Sequence, residues 1–503
     1  LCGKENRNPY RRGSRFALRH YEHSFKLSLR KRGPVRGNAD GEKREGGRGF
    51  RSVQKGGTDM KKIISAICAV TLIAATAISG AACTLGGRTS DNSIGELTSK
   101  EGKITIWWPG STVEMKAIEQ AKADYIEENP KVEIEIIGQS TADFYSAYML
   151  ACAGNSAPDI AYVDHVYVQM LAYYGYIANL SSAGFESLSD TFISTLWDAN
   201  FYEDSLYALP MSANILATVY NKTLIAKAQN TTTDKIVLPK NYDEFIELAK
   251  KINALNDAST AGDPYYAVTL PAGTGNTSMA SMTYLAYVNR SGGTGILSED
   301  LKESLINTQP CMDAALKLYE LGQYSTPTFA EAKFESGRVG FIEMGPWKMS
   351  DYEKYSKAYN WEVGYTTAIP FTDGGNSGAT LGLYSLVVTN NSNSALAADF
   401  VKFVASNDKY QLAFSTPQNL LPTTKTAIED DYYSGDVWQV YVEQLENVVV
   451  RPGSPAWTDI ESVLGTFVTN LVQRTYDGED GVRQACIGIH NQVTSALEDI
   501  YSE

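Results

Sequence analysis

Trp347, directly after Gly345-Pro346, and Trp457, directly after Ser454-Pro455-Ala456, stand in loops where proline restricts the backbone. Ser111 and Thr112 follow Pro109-Gly110, and Asp164 closes the run Asp159 to Asp164 (DIAYVD). Flat rings, hydroxyls and a carboxylate are the means of non-covalent recognition. Rings cover C–H surface, while a few placed polar groups exchange hydrogen bonds with a ligand. Metal and covalent chemistry find less support. After residue 82 the chain has only His165 and His490, and four widely spaced cysteines, Cys83, Cys152, Cys311 and Cys486. No Cys/His cluster has metal-ligand spacing, and no disulfide framework is indicated. Glycine-rich phosphate-binding patterns are absent, so no nucleotide handling and no cofactor are expected.

Each candidate has a structural alternative. The two tryptophans could pack in a core, and Ser111, Thr112 and Asp164 could cap the helices that follow them. Trp107 and Trp108 are adjacent in a strand and must face opposite ways, one to the core and one outward, with Trp108 the preferred candidate for the outward position.

The elements that position these residues alternate. Lys103–Trp108 reads as a buried strand, and Glu114–Glu128 as a helix with Met115, Ile118, Ala121 and Tyr125 at helical spacing. Asn129-Pro130 stops it. Lys131–Ile136 alternates aliphatic and charged residues as a second strand. A helix near Ala142–Ala153 and a third strand, Asp159–Val163, follow. This order indicates an α/β fold built on a mainly parallel sheet, whose ligands lie beyond the carboxyl ends of the strands. Ser111, Thr112 and Asp164 fall at those ends. Asn241–Leu255 opens with an Asn cap and Glu244 three residues on, above an apolar face of Phe245, Leu248, Ala249 and Ile252. Further helices are read over Ala395–Ser406, through Ile460–Leu471 and over Val482–Ile500.

Met60 to Gly87 governs how the remainder is read. Lys61-Lys62, an apolar run from Ile63 to Ile78, small residues to Ala82 and then Cys83 make an export signal. Residues 1–59 are rich in Arg and Gly without apolar periodicity, and are expected to be translated upstream sequence rather than a domain. Residues 1–82 carry a net +12, so the remaining 26 Lys+Arg and 52 Asp+Glu leave −26 on residues 83–503. A surface that acidic excludes nucleic acid as a partner. Residues 83–101 are polar and rich in small residues, as expected of a flexible tether.

The signal resembles those of bacterial lipoproteins, in which the cysteine is lipidated; the aliphatic residue usual three places before it is here Gly80, and an ordinary cleaved signal is the alternative. Farther on, ten stretches in order resemble the extracellular solute-binding lipoproteins of ABC importers, the branch that includes maltose- and other sugar-binding proteins. They are ITIWW at 104, YIEENPKVEIEI at 125, AGNSAPDIAYVD at 153, YALPMSANILATVYNK at 207 and LPKNYDEFIELAKKI at 238. FESGRVGFIEMGPW at 334, SGATLGLYSLVV at 377, AADFVKFVAS at 397, LLPT at 420 and RPGSPAW at 451 complete the set, over nearly all of residues 102 to 475.

The resemblance implies two α/β lobes around a cleft that closes on a sugar. It implies an N-terminal lobe of 102–211 and 366–425 and a C-terminal lobe of 212–365 and 426–503. The chain would cross near Pro210–Ser212, Thr366–Pro370 and Leu421–Lys425. It implies no enzyme, a monomer anchored to the outer face of the membrane through lipid on Cys83, and a membrane permease partner with a separate ATPase. Trp347 and Trp457 match the family's stacking tryptophans, Ser111 and Thr112 its first polar loop, and Asp164 a place where an acidic group meets sugar hydroxyls. Asn214 stands six residues before Tyr220 of the VYNK motif, where maltose-binding protein has an acidic group. Tyr284 and Tyr384 are further candidates among 31 tyrosines. Only six arginines follow Cys83, which favours a neutral sugar over a phosphorylated or carboxylated one. A cationic solute such as a polyamine, and a secreted carbohydrate-active enzyme, are the competing readings.

Overall fold

The computed structural model describes the backbone of residues 92–109, 112–140 and 144–501, and side chains over the same ranges except residues 112–114. The upstream segment, the signal, Cys83 and Ser111 lie outside the described residues, and of Thr112 only the helical backbone is described.

Two sheets with separate cores make two lobes. The first sheet runs β12 (Val448–Val449), β11 (Ala379–Val388), β3 (Ile160–Asp164), β1 (Gly102–Trp108) and β2 (Val132–Gly138), with β6 (Ala208–Ile215) on the other edge of β11. The second runs β10 (Val363–Thr366), β7 (Ala217–Asn221), β9 (Val339–Met344) and β8 (Tyr266–Thr269). A short hairpin, β4 (Phe201–Tyr202) and β5 (Ser205–Leu206), stands apart. Alternation builds β1 as expected: Ile104, Ile106 and Trp108 enter the core while Trp107 faces the other way, half-buried.

Parallel pairing dominates only the first sheet. There β1 pairs β2 and β3 in parallel and β11 pairs β12 in parallel, while β11 runs antiparallel to β3 and β6. In the second sheet only β8 and β9 are parallel; β7 is antiparallel to both neighbours. The expectation of a mainly parallel sheet in each lobe is corrected here. The antiparallel strands are those entering or leaving a passage between the sheets, which need no crossover helix.

The passages also shift. β6 belongs to the first sheet to Ile215 and β7 to the second from Ala217, so the chain changes sheet at Leu216 rather than at Pro210–Ser212. It returns between Thr366 and Ala379. Leu421 pairs with Ala213 of β6, and β12 still pairs with β11, so the last passage lies between Val449 and Trp457 rather than at Leu421–Lys425.

Four helices matter below: α1 (Thr112–Glu128), α2 (Thr277–Arg290), α3 (Asp436–Leu445) and α4 (Trp457–Val472). The predicted helix at Asn241 forms over Tyr242–Asn253, its Asn241 side chain accepting from Glu244 N at 2.9 Å. α2 and α4 fill the core of the second lobe with Tyr284, Trp457 and Phe467. Between the sheets, Leu196, Ala213, Ile215, Ala217, Leu381, Leu383, Trp438 and Tyr441 form one apolar cluster, to which α3 contributes the last two.

The segment read as a flexible tether is docked where it is described. Asn92 O accepts from Asn179 N at 2.7 Å and Asn92 Oδ1 from Asn390 Nδ2 at 2.6 Å. Ile94 N donates to Ser182 Oγ at 2.9 Å, and Ile94 and Leu97 pack on the first core. Composition had suggested coil; a few long-range polar partners hold the strap instead.

Among the described residues no helix is long and apolar enough to cross a membrane.

Candidate functional site

Three neighbouring strands bring Asp164, Tyr384 and Asn214 onto one face. Tyr384 of β11 stands opposite Asp164 of β3 on one side and Ser212 of β6 on the other. Two residues back along β11, Gly382 stands opposite Asn214. Period-two alternation therefore puts Asn214, Ser212, Tyr384 and Asp164 together. A β-carbon at Gly382 would fall 1.7 Å from Asn214 Oδ1, so only glycine leaves room for the amide.

Aromatic rings lead from the core to this face. Trp108 stacks on Tyr162 with centroids 4.5 Å apart, and Tyr162 on Tyr384 at 5.0 Å. The Tyr162 hydroxyl lies 2.6 Å from Ser212 Oγ. Trp108 is fully buried, also against Phe414, so its proposed outward position is corrected: it is the core member of its pair, and Trp107 is the half-exposed one.

Trp347 lies partly buried between lobes, packed on both the first core and the cluster of Phe334, Tyr352 and Trp361 in the second. Its ring sits over Gly345, where a β-carbon would come 1.5 Å from ring carbon Cζ3. The Gly-Pro-Trp order is thereby explained: glycine makes room and proline opens the turn Pro346–Lys348. Trp457 and Tyr284 are elsewhere. Both are 0 % exposed inside the second core, and the Tyr284 hydroxyl donates to Cys311 O at 3.0 Å. In this conformation neither reaches a surface. Their side chains act in packing.

Asp164 is engaged by protein. Arg451 Nη2 donates to its two oxygens at 2.6 and 2.8 Å, and His165 Nδ1 lies 3.0 Å from Oδ1. Val166 N approaches the same oxygen at 3.5 Å, which is the capping alternative in weak form. Burial alone would raise the Asp164 carboxyl, but the Arg451 guanidinium and His165 hold it well below its usual range. Burial and the neighbouring guanidinium both lower His165.

Arg451 and His165 also complete the sheet. β12 pairs with Ala379 and Thr380 of β11, and β3 with Tyr384 to Val388, leaving a gap on that edge. Arg451 Nε donates to Leu381 O at 3.3 Å, and His165 Nδ1 lies 3.2 Å from Leu383 O. Side chains stand in for the missing strand.

Across from Asp164, Glu461 of α4 accepts from Ser281 Oγ of α2 at 3.2 Å. Burial and the Asp164 charge push the Glu461 carboxyl up, against the pull of Arg451 and of two serine hydroxyls. Nearby, Tyr145 and Tyr167 stack with centroids 3.6 Å apart. In the sequence Arg451 is only one of few arginines and part of RPGSPAW, and His165 stands out only as one of two histidines after residue 82; Glu461 and Tyr167 carry no signal there. Among the described residues no group of three or more His, Cys, Asp and Glu is placed to hold a metal.

A family model described as "Bacterial extracellular solute-binding protein" matches residues 120–439. A binding protein of Brucella abortus is 25 % identical over 299 residues, 57 % of this chain and 67 % of that one. The maltotriose-binding protein of Pyrococcus abyssi is 19 % identical over 372 residues, 72 % of this chain and 75 % of its own. The crystal structure of the cyclic α-maltosyl-1,6-maltose binding protein from Arthrobacter globiformis superposes with a TM-score of 0.67 and 21 % identity, over 79 % of this chain and all of that one. At that identity the likeness establishes the fold.

Proposed function

The chain belongs to the bacterial extracellular solute-binding protein family, and from that premise we propose that it captures a mono- or oligosaccharide between its lobes for an ABC importer. The observation that carries this reading is the face on which Tyr384 and Asn214 stand beside the Asp164–Arg451 pair, backed by a row of stacked rings and approached by Trp347. Aromatic surface beside hydrogen-bonding groups suits a ligand with C–H patches and hydroxyls. The named relatives include binders of maltotriose and of cyclic maltosyl-maltose. Closure would use the passages at Leu216, at Thr366–Ala379 and at Val449–Trp457 as hinges. The loaded protein would meet a membrane permease driven by a separate ATPase. We further propose a monomer, held at the outer face of the membrane by lipid on Cys83, with no enzymatic step.

Residues 84–503, titrated calorimetrically with maltose, maltotriose and a cyclic maltosyl-maltose, test the reading, with spermidine and a sugar phosphate as controls. Saturable one-to-one heat with a saccharide recovered intact supports it. Heat with spermidine alone transfers the site to a cationic solute, and cleaved saccharide makes the chain an enzyme.

A further inference from the structure

We infer that Glu461 sets the chemical class of the ligand, so that the site takes neutral and amino sugars and rejects sugars carrying a carboxylate or phosphate. The inference rests on the carbohydrate reading and refines it.

Asp164 and Arg451 cancel in a bidentate pair. A carboxylate has about four acceptor positions; those of Asp164 are taken by Arg451 twice, by His165 and weakly by Val166 N. Asp164 therefore has little left to offer a ligand. Glu461 differs. On α4 it accepts from the Ser281 hydroxyl at 3.2 Å and is drawn by that of Ser278, which Arg451 Nη1 approaches at 3.5 Å, so it stands beside the Asp164–Arg451 pair with only serine hydroxyls on its oxygens. The charged and titratable groups facing it are Asp164 from β3, Tyr167 from the turn after β3, and Arg451 from the loop before α4, with Ser278 and Ser281 from α2. Their sum with Glu461 ionised is one net negative charge.

Such a carboxylate accepts charge-assisted hydrogen bonds from sugar hydroxyls and attracts an ammonium. It repels a second carboxylate or a phosphate. Among the described residues, Arg290 is held by Glu343, Arg338 by Asp263, and Arg474 by Tyr319 O.

The test is calorimetry on residues 84–503 and its Glu461→Gln variant, between pH 5 and 8, with maltotriose, glucosamine and galacturonate. Wild type should bind maltotriose less well as pH falls, because burial and the Asp164 charge raise the Glu461 carboxyl and make it the easier of the two to protonate. Glu461→Gln should lose that pH dependence and bind roughly 10- to 100-fold more weakly at pH 7, the loss of one charge-assisted hydrogen bond. It should also gain measurable galacturonate binding. Ser281→Ala, which frees the carboxylate from its anchor, should show a smaller loss with the pH dependence retained. Unchanged affinity and pH profile in Glu461→Gln, with sugar still bound, overturns this inference alone. No saccharide binding by wild type overturns the carbohydrate reading and this inference with it.

Discussion

Arg290 and Glu343 meet at 2.6 Å between Nη1 and Oε1, and the same guanidinium donates from Nε to Gly378 O at 2.9 Å. One side chain of α2 thus ties the end of β9 to the residue that precedes β11, fixing the return passage between the lobes. Arg290→Met should cost about 3–5 kcal/mol, because it leaves Glu343 as a partly buried charge without its cation. The pair Arg290→Met, Glu343→Met should recover much of that loss. Urea unfolding of the three variants measures both effects.

The two loop tryptophans should separate stability from binding. Trp457→Ala removes a fully buried ring from the second core and should cost about 3–5 kcal/mol. Trp347 is half-buried between lobes, and its loss should cost only about 1–2 kcal/mol while weakening saccharide binding severely. The urea midpoint set beside the calorimetric affinity distinguishes them; equal effects on both quantities in both variants would contradict the placement.

Gly382→Ala should destabilise by about 1–3 kcal/mol, since its β-carbon and Asn214 Oδ1 claim the same space. Asn214→Ala in the same chain should restore part of the melting temperature. The rest stays lost, because the β-carbon also lies 3.1 Å from Asn214 O.

Asp164 and Glu461 should act oppositely on stability as pH changes. Asp164 is depressed below 3.8 in the fold, so its stabilisation is present above that value and is lost as pH falls through the lower, folded one. Glu461 is raised above 4.5, so the folded chain binds the proton more tightly and stability falls as pH rises through its folded value. Glu461→Gln should therefore melt higher than wild type at pH 7 and alongside it near pH 4. Melts of wild type and variant from pH 4 to 8 decide the Glu461 effect and wild-type melts below pH 4 the Asp164 effect, and a higher melting point with lower ligand affinity in the variant would mark a group kept for binding at a cost in stability.

Residues 92–97 should count as part of the folded body. A chain beginning at residue 99 loses the Asn92 and Ile94 hydrogen bonds and the packing of Ile94 and Leu97, and should be less stable than one beginning at 92 by about 2–4 kcal/mol. Paired urea titrations measure the difference.

What was legible in the sequence was local and periodic. Ile104 and Ile106 in β1, Val132 and Ile134 in β2, and the Asn241 cap carry their geometry in spacing, and each formed where expected. Alternation established that Trp107 and Trp108 diverge, but not which of the two faces meets the core; that depended on Tyr162 and Phe414 arriving from elsewhere. The meeting of Asp164 with Arg451, 287 residues on, leaves no trace in spacing. The strap around Asn92 was illegible for the same reason, since polar composition looks alike whether water or a distant Asn390 is the partner. Asn214 was reached only through its place before the VYNK motif and Tyr384 only as one of many tyrosines; the pairing of β6, β11 and β3 is what put them on one face with Asp164.

The gap in the pairing of β11 bears on how the protein behaves in a crowded solution. A bare strand edge is a template for another chain to add a strand, the first step toward aggregation. Here the carbonyls of Leu381 and Leu383 are met by Arg451 and His165, and the guanidinium is neutralised by Asp164. No incoming backbone can pair with that stretch without first evicting a buried ion pair. The residues that shape the site thus also act as gatekeepers of solubility, and variants that loosen Arg451 should precipitate on heating at protein concentrations where wild type stays clear.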